Sequence, residues 1–224
     1  MKKIAKTATL ISLIIFSLSA NANVRDGFYV GAGFGKSYDQ YDLTTSYALN
    51  ALSIHNNADN ENYLGNIFAG WGYTLPNLFF LGGEIGTRFP NHDITINGRP
   101  DYLYPYAHFN DKLTVQDYIT ADALPGYIIG QNLLVYGRAG VVYGDLKFQQ
   151  TANVFLPPVN ASENAWGGRF GVGAMFDIDP TFGIAVDYFY TTYQEMKLYT
   201  SLFNTNFTAK TNNNFIGISL LYHV

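Results

Sequence analysis

Six charged residues carry most of the chemistry this chain could do: Glu84, Arg88, Asp122, Arg138, Arg169 and Asp187. Each falls on the same face of an alternating segment as glycines and polar groups, opposite a face that is almost wholly apolar. Counted from the nearest short turn, Glu84, Asp122, Arg138 and Asp187 sit five or six residues into their segments. At ~3.3 Å per residue they would form one layer, and Arg88 and Arg169, about nine residues in, a second layer above it. Carboxylates in such a place can serve as acid or base. Here three acids balance three arginines, and a charge taken out of water is costly without a partner. The expected chemistry is therefore mutual neutralisation: a network of ion pairs that fills an interior. Asp122 and Arg138, on neighbouring segments, are the expected direct pair. A narrow gated ion path through a rearranging network is the second reading, and catalysis the third.

Other candidates carry less. His55, His92 and His108 fall in long connections and His223 near the chain end. None has metal-ligand spacing or a serine placed to form a base and nucleophile pair. No metal site and no cofactor is expected. Gly31, Gly33 and Gly35 alternate within a segment and lack the basic partner of a phosphate loop. Their expected role is to leave room for Phe68, Tyr136, Met175 and Phe189. Asp39, Asp42, Asp59 and Glu61 in the first long connection lack the regular spacing of a Ca²⁺ loop. Asn97-Gly98 in the second is a hairpin cue, and the cluster Tyr102, Tyr104, Tyr106 suits a contact surface.

The elements that must position these side chains are strands of period two. Phe28, Val30, Ala32 and Phe34 alternate with Tyr29, Gly31, Gly33 and Gly35. Ile67, Ala69, Trp71 and Tyr73 alternate with Asn66, Phe68, Gly70 and Gly72. Leu81 and Ile85 oppose Gly82 and Glu84, and Ala121 and Ala123 oppose Asp122 and Leu124. Val135, Ala139 and Val141 oppose Tyr136, Arg138 and Gly140; Val172 and Ala174 oppose Gly171 and Gly173; Val186 and Tyr188 oppose Asp187 and Phe189. Ile218, Leu220, Tyr222 and Val224 close the series against Gly217, Ser219 and His223. Eight such segments predict an all-β chain, an eight-stranded antiparallel up-and-down barrel.

Alternation alone does not say which face looks inward, since a soluble eight-stranded barrel would bury the apolar one. The connections decide. Short turns at Leu75-Pro76-Asn77, Gly130-Gln131-Asn132 and Asp179-Pro180-Thr181 alternate with long connections over 37–62, 90–112, 148–164 and 192–213. Short periplasmic turns and long outer loops belong to a membrane barrel, which turns its apolar face to lipid. Aromatic residues flank the turns at Trp71, Tyr73, Phe79, Tyr127, Phe182 and Tyr222, and the outer ends at Phe89, Tyr118, Tyr143, Trp166 and Tyr190. They read as two interfacial girdles. Ten strands are expected only if the second long connection inserts as a hairpin.

Composition agrees. Aromatic residues make up 17% and charged residues 13%, against ~25% charged in a soluble domain. Lys2, Lys3 and Lys6 precede an apolar stretch densest over Leu10–Phe16, which ends at Ala20-Asn21-Ala22. That is the form of a cleaved secretory signal, so residues 1–22 are expected to be removed and 23–224 to form the barrel. Losing three lysines and no acid takes the net charge from −4 to −7, which argues against nucleic acid as a partner. No cysteine is present.

Gly27-Phe28-Tyr29-Val30-Gly31-Ala32-Gly33 resembles the opening strand of OmpA-like and opacity-type outer-membrane barrels. So does Pro125-Gly126-Tyr127 with Leu133-Leu134-Val135-Tyr136-Gly137-Arg138-Ala139-Gly140. Gly171-Val172-Gly173-Ala174 and Gly183-Ile184-Ala185-Val186-Asp187-Tyr188 resemble the same family's sixth and seventh strands. The resemblance covers the whole of 23–224. It implies an eight-stranded outer-membrane barrel with variable surface loops; no enzyme activity is expected, because no catalytic signature is present. The resemblance also implies a C-terminal insertion signal in Ile218, Leu220, Tyr222 and Val224, read by the outer-membrane insertion machinery. Such barrels usually end in Phe, so Val224 departs from that pattern. No peptidoglycan-binding domain is expected to follow, so that anchoring role is not inherited.

The expected role is a surface protein of the outer membrane, in contact with its lipid and lipopolysaccharide. It would give structure to the envelope and offer its loops to a host or cell-surface ligand, as an adhesin does. A small gated porin or ion channel is the alternative. A lipid-modifying enzyme is a further one and would need a Ser, His and acid cluster at the outer rim.

Overall fold

The computed structural model describes residues 26–47, 52–89, 92–100, 108–151, 159–200 and 205–224. The expected signal segment and Tyr102, Tyr104 and Tyr106 lie outside them. Among the described residues every regular element is a strand: β1 Gly27–Tyr47, β2 Leu52–Thr74, β3 Phe79–Phe89, β4 His92–Pro100, β5 His108–Ile129, β6 Leu133–Thr151, β7 Val159–Asp177, β8 Phe182–Tyr193, β9 Met196–Thr200 and β10 Thr205–His223.

Neighbouring strands pair antiparallel in the order β1-β2-β3-β5-β6-β7-β8-β10, and β1 also pairs with β10. The sheet is thus closed on itself. Closure has a cause in lipid, where an unpaired edge would leave amide groups without any partner. β4 pairs only with β5, above the point where β3 leaves it, and β9 only with β10, above β8. Ten segments therefore make eight staves, two of them interrupted. The second connection does not insert as a separate hairpin.

The long connections are shorter than the sequence pattern suggests. β1 and β2 stay paired out to Tyr47↔Leu52, and β6 and β7 to Gln150↔Val159. β4 and β5 pair out to Pro100↔His108, and β9 and β10 to Thr200↔Thr205. Strands of 19–23 residues are about twice the 9–11 that cross a bilayer. The outer halves are strand, not loop. Their outward positions carry Asp59, Glu61 and Asn214 where the lower half carries Ile67 and Ile218, the change expected of strands that rise out of a bilayer into water, and the alternation fades. Asn97-Gly98 is likewise no hairpin turn. It lies within β4, where the register slips between Ile96↔Asp111 and Arg99↔Phe109, which is a bulge.

At the other end the turns are tight. Asp179 Oδ1 accepts the amides of Thr181 and Phe182 at 2.7 and 2.8 Å, an Asx turn. Gly130 takes φ +69° between β5 and β6, a conformation that costs glycine little.

Side chains settle which face is which. Phe34, Ile67, Ile85, Val141, Phe170, Val186 and Leu220 are exposed on the outside of the barrel, while Glu84, Asp122, Arg138 and Asp187 are only 4–7% exposed within it. Space inside is tight. A Cβ on Gly140 would overlap Asp122 Oδ1 and the Ala121 carbonyl oxygen. Backbone cannot yield as a side-chain tip can, so Gly140→Ala is expected to lower stability by about 1–3 kcal/mol. A drop in the thermal midpoint in detergent is the measurement, and an unchanged midpoint would show that β5 and β6 can part.

Candidate functional site

The lumen is built in layers. Nearest the short turns is an apolar layer that includes Phe80, Leu124, Ile128, Leu134, Met175 and Leu221. Above it β3, β5, β6 and β8 each bring one charged residue to the axis: Glu84, Asp122, Arg138 and Asp187. Arg138 Nη1 donates to Glu84 Oε2 at 2.5 Å and to Asp122 Oδ2 at 2.8 Å. Its Nη2 and Nε donate to Asp187 Oδ1 at 3.0 and 3.3 Å. A guanidinium presents five N–H donors in a rigid plane, and this is what lets one residue reach three strands at once. Arg138 does pair with Asp122, as β5 and β6 adjacency suggests, but its reach to Glu84 and Asp187 depends on how the barrel closes.

Two tyrosines complete the layer. Tyr29 Oη donates to Glu84 Oε1 at 2.9 Å and Tyr136 Oη to Asp187 Oδ1 at 2.9 Å. From sequence Tyr136 was read as a packing residue and Tyr29 was placed only on the inner face. Their inward parity was the available signal. What could not be read was that the ring length brings the hydroxyl to the ionic layer.

Arg169 Nη2 donates to Asp122 Oδ2 at 2.5 Å. Its guanidinium lies 4.3 Å from the Phe189 ring centroid, a cation–π arrangement. Arg88 lies over the same ring at 5.4 Å. It donates to Asn213 Oδ1 at 3.2 Å and Tyr193 Oη at 3.4 Å and so joins this level to a further polar layer. There Asp39, read from sequence as a loop acid, is 1% exposed. Its carboxylate accepts from Ser37 at 2.8 Å, from Asn62 at 2.7 Å and from Asn213 Nδ2. The uppermost layer is apolar again, with Tyr41, Leu113, Val115, Val142, Leu146 and Phe148.

A cavity of about 20 Å³ borders the ionic layer among Asn66, Thr120, Asp122 and Arg138, room for about one water. Asn66 Oδ1 and Asp122 Oδ1 have no protein donor among the described residues, so a bridging water there would have polar partners.

His223 was read as one of four scattered histidines. It stands inside the turn end of the lumen, Nε2 3.5 Å from Asp177 Oδ1 and its ring 6.0 Å from that of Tyr29. Its parity opposite Tyr222 and Val224 had already placed it on the inner face; its nearness to Asp177 and Tyr29 was not legible there. His55, His92 and His108 lie on β2, β4 and β5. Among the described residues no three His, Cys, Asp or Glu side chains gather to hold a metal ion.

Of the aromatic residues singled out from sequence, Trp71, Tyr73, Tyr127, Phe182 and Tyr222 toward the turns and Phe89 and Trp166 toward the other end are exposed on the outside. Trp71 stacks on Tyr73 at 6.4 Å and Phe182 meets Tyr222 at 5.6 Å near the turns, where Phe79 pairs with Tyr127 across β3 and β5. Tyr143 packs on Trp166 at 4.9 Å toward the outer end, at the level of Phe89 and Tyr190.

A family model described as an outer membrane protein beta-barrel domain matches residues 8–223. Among solved structures, the fold is similar to the outer membrane protease OmpT from Escherichia coli, with a TM-score of 0.58, 11% identity and coverage of 93% of this chain and 100% of that one. It is also similar to the outer membrane protein OprG from Pseudomonas aeruginosa, with a TM-score of 0.51, 13% identity and coverage of 91% and 100%. At such identities the likeness shows the fold alone. No curated protein matches in sequence.

Proposed function

The chain belongs to the outer membrane protein beta-barrel domain family, and from that premise we propose that it is a sealed surface barrel whose outer extension makes contact with a cell-surface or host ligand. The observation that carries this reading is the filled lumen. A path along the axis meets an apolar layer, the Arg138 cluster, the Asp39 and Arg88 layer and a second apolar layer. The cavity beside the cluster holds about one water, far less than a hydrated ion needs. An eight-stranded barrel is about filled by its own side chains, and here those side chains are also bonded to one another. What the protein offers to its surroundings is then the length of strand that stands beyond the bilayer.

The remaining parts of the proposal concern its handling by the cell. Residues 1–22 direct export and are removed. Ile218, Leu220, Tyr222 and Val224 on β10 present the outward face of the closing strand to the insertion machinery. The exposed apolar band between the two aromatic levels contacts membrane lipid, and lipopolysaccharide at its outer edge.

Purified protein in planar bilayers is expected to give no stable conductance, and replacement of the outer ends of β1 and β2 by a tight turn is expected to reduce binding to target cells. Regular open events in the unaltered protein would overturn the sealed reading in favour of a small pore. Unchanged cell binding after trimming each outer hairpin in turn would overturn the surface role.

A further inference from the structure

The backbone ladder that closes the barrel is complete only in its lower half. β2 pairs with β3 from Thr74↔Phe80 up to Gly65↔Phe89 and no further. β4, which takes over the stave, pairs with β5 alone. Across the barrel, β7 pairs with β8 up to Gly167↔Tyr193, and β9 pairs with β10 alone. Among the described residues, then, the outer extension is two open sheets, β9-β10-β1-β2 and β4-β5-β6-β7. Tyr41 and Ala209 from the first pack against Leu113, Val142, Leu146 and Phe148 of the second.

The two seams differ. The β7 side is closed at its base by Gln194 N–H donating to the Trp166 carbonyl, and β9 spans only 5 residues, a short edge of the kind proteins use to prevent pairing. The β2–β4 seam is longer. Residues 52–64 of β2 run beside the 9 residues of β4 with no ladder between them, and the bridge is a side chain: Asn60 Nδ2 donates to the Asp93 carbonyl oxygen.

We infer that the β2–β4 seam is a docking site for an extended segment of a partner protein, taken up as an added strand. The inference rests on the reading that the outer extension is the working end, and it names the class of partner. The groups left without a ladder are amide N–H and C=O at strand spacing on two facing edges, and the ligand that matches them is another backbone in extended form. Side chains set its charge. Asp59, Glu61 and Asp93 lie along the seam; Lys36 holds Glu61 at 2.7 Å and Lys112 holds Asp93 at 3.1 Å, which leaves the exposed Asp59 to favour a segment bearing positive charge. Neighbouring strands sit ~4.8 Å apart, so entry needs the seam to widen by about one strand spacing. Asn60 is the contact that must release.

Hydrogen exchange of the whole protein in neutral detergent tests this. Three decapeptides serve as probes: alternating lysine and valine, alternating glutamate and valine, and the first with a central proline that cannot complete a ladder. In the free protein, seam-side amides of 53–64 and 92–99 should exchange faster than those of the β1–β10 ladder. The lysine peptide should slow them by at least about tenfold, with the other two having little effect. Asn60→Ala should speed seam exchange and strengthen the peptide's effect while the β1–β10 ladder is unchanged. Seam amides already as protected as that ladder would overturn the inference. Equal protection by the proline peptide would do so too, as it would show charge attraction only. Loss of cell binding on trimming the β1–β2 extension, with no peptide protecting the seam, would overturn the strand site and leave the surface role standing.

Discussion

Arg138→Ala is expected to cost more stability than any other single truncation in the lumen. Removing the guanidinium leaves Glu84, Asp122 and Asp187 facing one another in a space where each is at most 7% exposed. Breaking a buried pair by deleting one partner costs about 3–5 kcal/mol, and here one deletion strips three carboxylates from three different strands. Arg169 still bonds Asp122, so the loss falls chiefly on Glu84 and Asp187. Arg138→Lys should recover only part, because an ammonium is a point charge and cannot span the same three acceptors with a rigid fork. Reversible unfolding in detergent micelles measures both. A compensated variant separates charge from packing: Arg138→Met with Glu84→Gln, Asp122→Asn and Asp187→Asn removes the unpaired charges together. Apolar replacement of a whole buried ionic set is often neutral or better, so this variant should be more stable than Arg138→Ala. If Arg138→Ala unfolds at the same denaturant concentration as the unaltered protein, the cluster does not tie β3, β5, β6 and β8 together.

That cluster also shows what can be read in a sequence and what cannot. The inward face of each strand was legible, because a period of two needs only local neighbours. Glu84, Asp122, Arg138 and Asp187 could be assigned to the interior, and even to one level, by counting from the turns. Their partners were not legible, because which strands face each other across the lumen depends on the stagger at closure. Arg88 illustrates the gap. It was grouped with Arg169 by height, and both guanidiniums do lie over the Phe189 ring, at 5.4 and 4.3 Å, yet Arg88 bonds Asn213 and Tyr193, on β10 and β8, both in stretches taken for loop or loop border. Those stretches were misread for a physical reason. Once a strand rises above the bilayer its outer face needs no apolar residues, so Asn56, Asn57, Asp59, Asn60 and Glu61 give no alternation even though β2 runs through them. The eight staves were therefore visible only where lipid enforces the pattern, and the two-sheet outer extension left no trace in it.

An arginine placed on the apolar face should cost an amount that depends on its depth. Val186 and Ile85 sit about midway between the two aromatic levels, 48% and 59% exposed to whatever surrounds the barrel. If that medium is hydrocarbon, Val186→Arg and Ile85→Arg should each destabilise by ~2–4 kcal/mol, and Tyr190→Arg or Tyr143→Arg, near the interface, by only ~0–1. If the medium were water, all four would be surface substitutions worth little, with no trend along the barrel axis. Urea titration of protein folded into phosphatidylcholine vesicles gives the comparison directly. The inward positions supply the internal control. Ser219 and Thr120 face the lumen on β10 and β5, both 5% exposed, and Ser219→Val or Thr120→Val should show no such dependence on depth, because the lumen stays protein-filled over its whole height. A depth trend on one face and none on the other is the pattern only a barrel turned outward to lipid can produce. A flat response on both faces would mean that Val186 and Ile85 do not touch a membrane.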